Sequence, residues 1–300
     1  MRMPTLPFRR LCAVLSVLCL ALGGVVLPPA PPAQAETLIG AEAAKRKINL
    51  AGRQRMLSQR MAMLACMADS DVQTENALAR AEAAHDLFDR TLRGLRFGDE
   101  ELGLPVETRP EVLESLALVD ELWGGYGQAV SLYVERGRSA TLRAIHARNP
   151  AVLAKMNASV GVMERLYGEG LIAPELATAL NIAGRQRMLI MKALKEACMV
   201  GRGIAPEEDR KALLSTVALF SSSLYKLRAG NAWEGIIPPP TFEVDMQLEL
   251  VQAIWDWMDP ILREIAEGGP VETEQLSRLL YHGEVALREM NQAVTLYESG

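Results

Sequence analysis

The sequence predicts an all-α protein, with two tandem up-down-up-down four-helix bundles following a signal peptide. Three observations lead there. The chain repeats itself over long aligned stretches, and internal repeats govern how the rest is read. Strand signals are scarce against abundant Ala, Leu, Met, Glu and Arg. Breaks fall at intervals that suit long helices joined by short connections.

The first element is the leader, residues 1–35. Arg9 and Arg10 form a positive flank, Leu11 to Leu27 is a largely apolar run, and Ala33-Gln34-Ala35 is a small-residue cleavage site before Glu36. This is a secretory signal pattern. An uncleaved anchor fits less well, because the run is short for a span and a cleavage site follows it. Leu11 and Leu18 precede Cys12 and Cys19 where a lipoprotein site needs a small residue. No later segment is long and apolar enough to span, so the expected location is the periplasm. Arg2, Arg9 and Arg10 lie in the leader, which holds no acid. The remainder is therefore more acidic than the −5 of the whole chain. That balance disfavours nucleic acid and anionic membrane surfaces as partners.

The repeat is carried by "INLAGRQRMLSQRMAMLACM" at 48–67 and "LNIAGRQRMLIMKALKEACM" at 180–199. These align without a gap: Gly52 matches Gly184, Arg53 matches Arg185, Arg55 matches Arg187 and Cys66 matches Cys198. Phe88 then falls on Phe220, Leu92 on Leu224, Gly98 on Gly230 and Trp123 on Trp255. Near the ends the offset drifts, and Met156-Asn157 pairs with Met290-Asn291. The first copy spans 36–168, with helices expected near 39–68, 72–97, 110–136 and 139–167. Its breaks are "DSD", "FGDEELGLPVETRP" and "RGRS". The second spans 171–300, with helices near 174–200, 206–229, 241–267 and 271–298. Pro174, Pro206 and Pro270 stand near starts, where a missing N–H costs little. In such a bundle the fourth helix ends beside the start of the first, so "YGEGLIAP" favours two bundles side by side with first helices parallel. An end-to-end rod, with the fourth helix running into the next copy, is the alternative.

The first helix of each copy is unusual in having two occupied faces. At 100° per residue, Leu50, Leu57, Met61 and Leu64 form a core seam for the copy's own bundle. Ile48, Gly52, Arg55, Gln59, Ala62 and Cys66 fall nearly opposite, as do Leu180, Gly184, Arg187, Met191, Leu194 and Cys198 in the second copy. A two-faced helix sits between two packing partners, here the other copy or another subunit. Gly52 and Gly184 then allow close approach, and Arg55 would face Arg187. Two guanidiniums in a partly buried site repel unless an anion lies between them, and their flat donor forks suit a small planar oxyanion. Alternatively, these arginines bond to carbonyls or acids of neighbouring helices, or reach water. Parallel, in-register first helices would also bring Cys66 to Cys198. The exported compartment permits a disulfide there, although two separately buried thiols would suit a core equally.

The motif "INLAGRQRMLSQRM", with the downstream "F…L..L..G" and "MN.(A/S)V" patterns, resembles the PilJ-type N-terminal sensor domain of type IV pilus chemotaxis transducers. It is also similar to the periplasmic sensor domain of nitrate/nitrite histidine kinases. The resemblance covers nearly all of the chain after the leader, twice over. It implies a four-helix sensor bundle and, in the nitrate-sensing branch, nitrate bound by the arginine before the motif's methionine at a dimer interface. Those positions are Arg55 and Arg187 here, with Gly52 and Gly184 beside them; the branch's Ser-x-Arg falls on Ser58 and Arg60. The second copy departs from this, with Ile190, Met191 and Lys192 in place of Ser58, Gln59 and Arg60. Most relatives carry a membrane helix and a signalling module, so the resemblance implies output through a membrane-bound receptor or sensor kinase. A homodimer is also allowed.

Other chemistries find little support. Met61, Met63, Cys66 and Met67 are soft metal ligands, but they spread around their helix as core fillers do. His85, His146 and His282 show no metal spacing. No CxxCH, phosphate loop or nucleophile–base pair stands out, so no catalytic residue, metal or cofactor is expected. Trp123 and Trp255 read as matched core or interface anchors. Two functions remain: a periplasmic receptor for a small anion such as nitrate or nitrite, or a ligand-free helical module that docks onto a chemotaxis, pilus or two-component receptor.

Overall fold

The computed structural model describes residues 39–137 and 139–299; the signal peptide expected at 1–35 lies outside them. Among the described residues the chain forms eight α-helices: α1 (Ala41–Asp69), α2 (Thr74–Phe97), α3 (Pro110–Arg136), α4 (Ser139–Gly168), α5 (Pro174–Gly201), α6 (Pro206–Ala229), α7 (Phe242–Ala266) and α8 (Thr273–Ser299). Every end lies within two residues of the span read from sequence. The local chemistry explains several ends. Pro110, Pro174 and Pro206 open α3, α5 and α6, where the first N–H has no helical partner to lose. Thr241 caps α7 by accepting from the Val244 amide at 3.3 Å. Gly98 and Gly230 close α2 and α6 with φ of +84° and +77°, a left-handed turn that a Cβ would strain. After each of these glycines comes a short antiparallel bridge, Asp99 to Leu104 and Asn231 to Ile236. Loops were expected there, and neither the bridges nor the 3₁₀ turn Ala232–Glu234 was foreseen. Backbone pairing this brief leaves no alternating pattern to read.

α1 packs on α2 and α4, and α3 packs on α2 and α4, closing the first bundle. α5 packs on α6 and α8, and α7 on the same two, closing the second. The most extensive helix pair in the molecule is α1 with α5. A Cβ on Gly52 would stand 3.8 Å from the Gly184 Cα, and one on Gly184 at the same distance from Gly52. Fourteen residues further along, Cys66 and Cys198 are joined by a disulfide with a Cα–Cα distance of 6.1 Å. Equivalent residues thus meet at both points. α1 and α5 are parallel and in register, and the bundles lie side by side about a pseudo-twofold axis, with the described residues forming one compact unit.

This arrangement explains why α1 and α5 carry so little exposed surface. From Ala44 to Ala68 only Arg46, Arg53 and Arg60 escape full burial. Several polar residues in these helices reach partners outside them. Gln54 donates to the Phe88 carbonyl at 2.8 Å, and its counterpart Gln186 to the Ser223 hydroxyl at 2.7 Å. Lys47, fully buried, donates to Glu107 Oε2 at 2.9 Å, and Tyr167 donates to the same oxygen. The aromatic anchors repeat as well. Phe88 stacks on Trp123 at 4.1 Å and Phe220 on Trp255 at 3.8 Å, with indole N–H groups donating to Asp89 and Ser221. No helix among the described residues is long and apolar enough to cross a membrane.

Candidate functional site: the arginine seam between α1 and α5

The crossing of α1 and α5 is built by glycine. Without side chains at Gly52 and Gly184 the backbones come together, and arginine end groups close tightly around the place a Cβ would take. The Nη2 atoms of Arg55 and Arg187 both lie 3.3 Å from the Cβ position of either glycine. Both guanidiniums are buried, at 2% exposure each.

Their hydrogen bonds follow the pseudo-twofold axis. Arg55 Nη2 donates to the Asn181 carbonyl and Arg187 Nη2 to the Asn49 carbonyl, each at 3.0 Å across the seam. Arg55 Nη1 donates to Asn157 Oδ1 on α4 and Arg187 Nη1 to Asn291 Oδ1 on α8, each at 3.2 Å. Arg55 Nη1 also reaches Asn181 Oδ1 at 2.8 Å. The asparagines are held in turn by acids: Asn181 donates to Glu164 and Asn49 to Glu298. Among the described residues no carboxylate pairs directly with either guanidinium. A guanidinium has five donors, and both Nε atoms are buried without an acceptor. Burial first, then the facing Arg187, pushes Arg55 down to about 9. Burial first, then Arg53, pushes Arg187 down to about 9. Two buried cations are thus concentrated at one point, each with its nearest acid, Glu164 or Glu298, held one asparagine away, a setting in which an arriving anion gains from every donor it satisfies. A cavity of about 440 Å³, lined by Arg55, Asn157, Asn181 and Arg185 among others, opens beside the seam.

The structure therefore brings together Gly52, Gly184, Arg55 and Arg187, with the Cys66–Cys198 bond in the same seam. Ser58 and Arg60 lie elsewhere. The Ser58 hydroxyl donates back to the Arg55 carbonyl of its own helix, and the Ser58 carbonyl accepts from Tyr126 and Asn149. Arg60 pairs with Glu284 on α8 at 2.9 Å. Neither exchanges a hydrogen bond with the Arg55 or Arg187 guanidinium. The asparagines and glutamates around the pair were not singled out from sequence. Their signal was present: Asn49 and Asn181 occupy the same place in the duplicated string, each polar among apolar neighbours. No group of His, Cys, Asp and Glu among the described residues is arranged to hold a metal ion.

The fold and seam define a class: duplicated four-helix bundles whose first helices cross at glycine and meet through arginine. A family profile described as "Type IV pili methyl-accepting chemotaxis transducer N-term" (PilJ) matches residues 37–148 and again 173–279. The chain belongs to this family, in two tandem copies. Methyl-accepting chemotaxis protein McpN of Pseudomonas aeruginosa is similar to it, 32% identical over 131 residues. That match covers 44% of this chain and 23% of McpN, so the chain spans under a quarter of that relative's length. The family is one of transducer domains, not of enzymes.

Proposed function

We propose that the protein is a periplasmic sensor. In this reading a small oxyanion, with nitrate and nitrite as first candidates, binds between Arg55 and Arg187, and binding is reported to a membrane-bound receptor or sensor kinase. Residues 1–35 would be the cleaved leader, with 36–168 and 171–300 as the two bundles. The observation that carries the reading is the pair of buried guanidiniums converging on the glycine crossing with unpartnered Nε donors. Kinship with chemotaxis transducers supports the signalling half. The second copy supplies Arg187 although it lacks counterparts to Ser58 and Arg60, so one chain holds both halves of a clamp. Titration calorimetry of the purified protein with nitrate, nitrite and other small anions tests this. Saturable binding is expected, weakened about tenfold or more by Arg55→Ala or Arg187→Ala, since each removes charge-assisted bonds of roughly 1.5–3 kcal/mol. Silence across the panel would favour a ligand-free docking module. That second reading has its own support, because the bonds to the Asn49 and Asn181 carbonyls let the pair stand without a ligand.

A further inference from the structure

A second cationic site lies outside the seam. Between α1, α2 and α8 runs a groove of about 450 Å³, with Arg53, Arg60, Arg80 and Arg288 on its walls and Glu284 as the sole acid lining it. Its floor is apolar, formed by Met56, Leu57 and Leu287 among others. Glu284 is already shared, since Arg60 takes one of its oxygens and Arg80 the other. Arg53 and Arg288 are left without a carboxylate inside the groove. Arg288 turns to Glu289 at the rim. Arg53 keeps both Nε and Nη2 buried without an acceptor.

The repeat provides an internal comparison. The pseudo-symmetric groove between α5, α6 and α4 contains Arg185 and Lys192 in the places of Arg53 and Arg60. At the positions equivalent to Arg80, Glu284 and Arg288 the chain has Ala212 on α6 and Pro150 and Ala154 on α4. Lys192 is also neutralised by Glu196 within its own helix. The concentration of arginine is thus particular to one groove and is not demanded by the bundle. The volume falls in the range of small-molecule sites and is far larger than a triatomic or tetratomic anion needs. An apolar floor under an arginine rim matches a ligand with an apolar body and one charged end.

We propose that the α1/α2/α8 groove binds an organic monocarboxylate, its carboxylate taken by the Arg53 guanidinium and its apolar body lying over Met56, Leu57 and Leu287. The site is separate from the seam and stands whether or not the seam binds an oxyanion. Asn291 lines the groove and also accepts from Arg187, so the two sites adjoin at one side chain. Titration calorimetry with benzoate and hexanoate tests the proposal, with benzamide as the uncharged control of the same shape. Both acids should bind and benzamide should not. Arg53→Gln should weaken the acids by at least about tenfold. Ala83→Glu, at an exposed position on the groove wall, should do the same by supplying a competing carboxylate without disturbing the core. The double variant Arg55→Ala/Arg187→Ala should keep acid binding, which separates failure here from failure of the seam. Absence of binding by both acids, equal binding of benzamide, or binding unchanged in both groove variants would overturn the proposal.

Discussion

At Gly52 and Gly184 a single missing Cβ decides whether two helices touch. Valine at Gly52 would drive atoms toward the Arg55 and Arg187 Nη2 groups, 3.3 Å from the first added carbon. Overpacking of this kind costs about 1–3 kcal/mol. Urea denaturation of Gly52→Val should show that loss, together with loss of any anion binding at the seam. Unchanged stability would mean the crossing is looser than described. A second residue-scale expectation concerns Asp209, 5% exposed at the start of α6. Burial foremost pushes its carboxyl up to about 7. Lys195 and Lys192 work against that, and Glu196 and Glu208 with it, while His146 Nε2 stands 3.4 Å away. The folded protein therefore holds a proton that the unfolded chain releases near pH 4. Stability contributed by this group falls as pH rises from about 4 to about 7, by up to about 1.4 kcal/mol per unit. Asp209→Asn should flatten that slope when unfolding is measured across the interval; parallel curves for the two proteins would contradict it. The arginines were legible in the sequence because they recur in an apolar string. Their asparagine partners were not given a role, because hydrogen bonding across a seam follows from a register that only packing supplies.

Helix positions could be read closely because apolar periodicity, proline at helix starts and glycine at helix ends all pointed the same way. What the elements do to one another was harder to foresee. Lys47, Glu107 and Tyr167 illustrate this: they lie on α1, on the loop after α2 and on α4, and their buried contact pins that loop to the bundle. Burial works against ionising Glu107, yet the Tyr167 hydroxyl, Lys47 and the Arg109 amide together hold it below the usual carboxylate range. Glu107→Ala would strand a buried ammonium and should cost about 3–5 kcal/mol, read as a lowered urea midpoint. The α1–α5 pair has its own fastener. The Cys66–Cys198 bond closes a loop with a sequence separation of 132, and chain-entropy reasoning assigns such bonds about 2–5 kcal/mol. Cys66→Ser/Cys198→Ser should unfold at lower denaturant, and reductant should shift the native protein but not the variant. Equal midpoints would show that the helices need no staple.

At the scale of the whole molecule, duplication places in one chain a pseudo-twofold interface that would otherwise need two. Each half contributes one guanidinium, one asparagine carbonyl and one cysteine to the same seam. The sequence disclosed the duplication itself, through matched glycines, tryptophans and cysteines. It left open whether the copies stack or lie side by side, because both geometries bury the same core seam in each bundle. The two-faced character of α1 favoured the second, and the contact of equivalent residues at Gly52–Gly184 and Cys66–Cys198 shows it. The pair of buried cations at that axis is the center of the proposed function. A crystal structure of the protein grown with nitrate tests it most directly. One planar anion per chain is expected, within hydrogen-bond distance of both Arg55 and Arg187. A seam unchanged and empty at saturating nitrate, or nitrate bound only at a distance from both arginines, would contradict it.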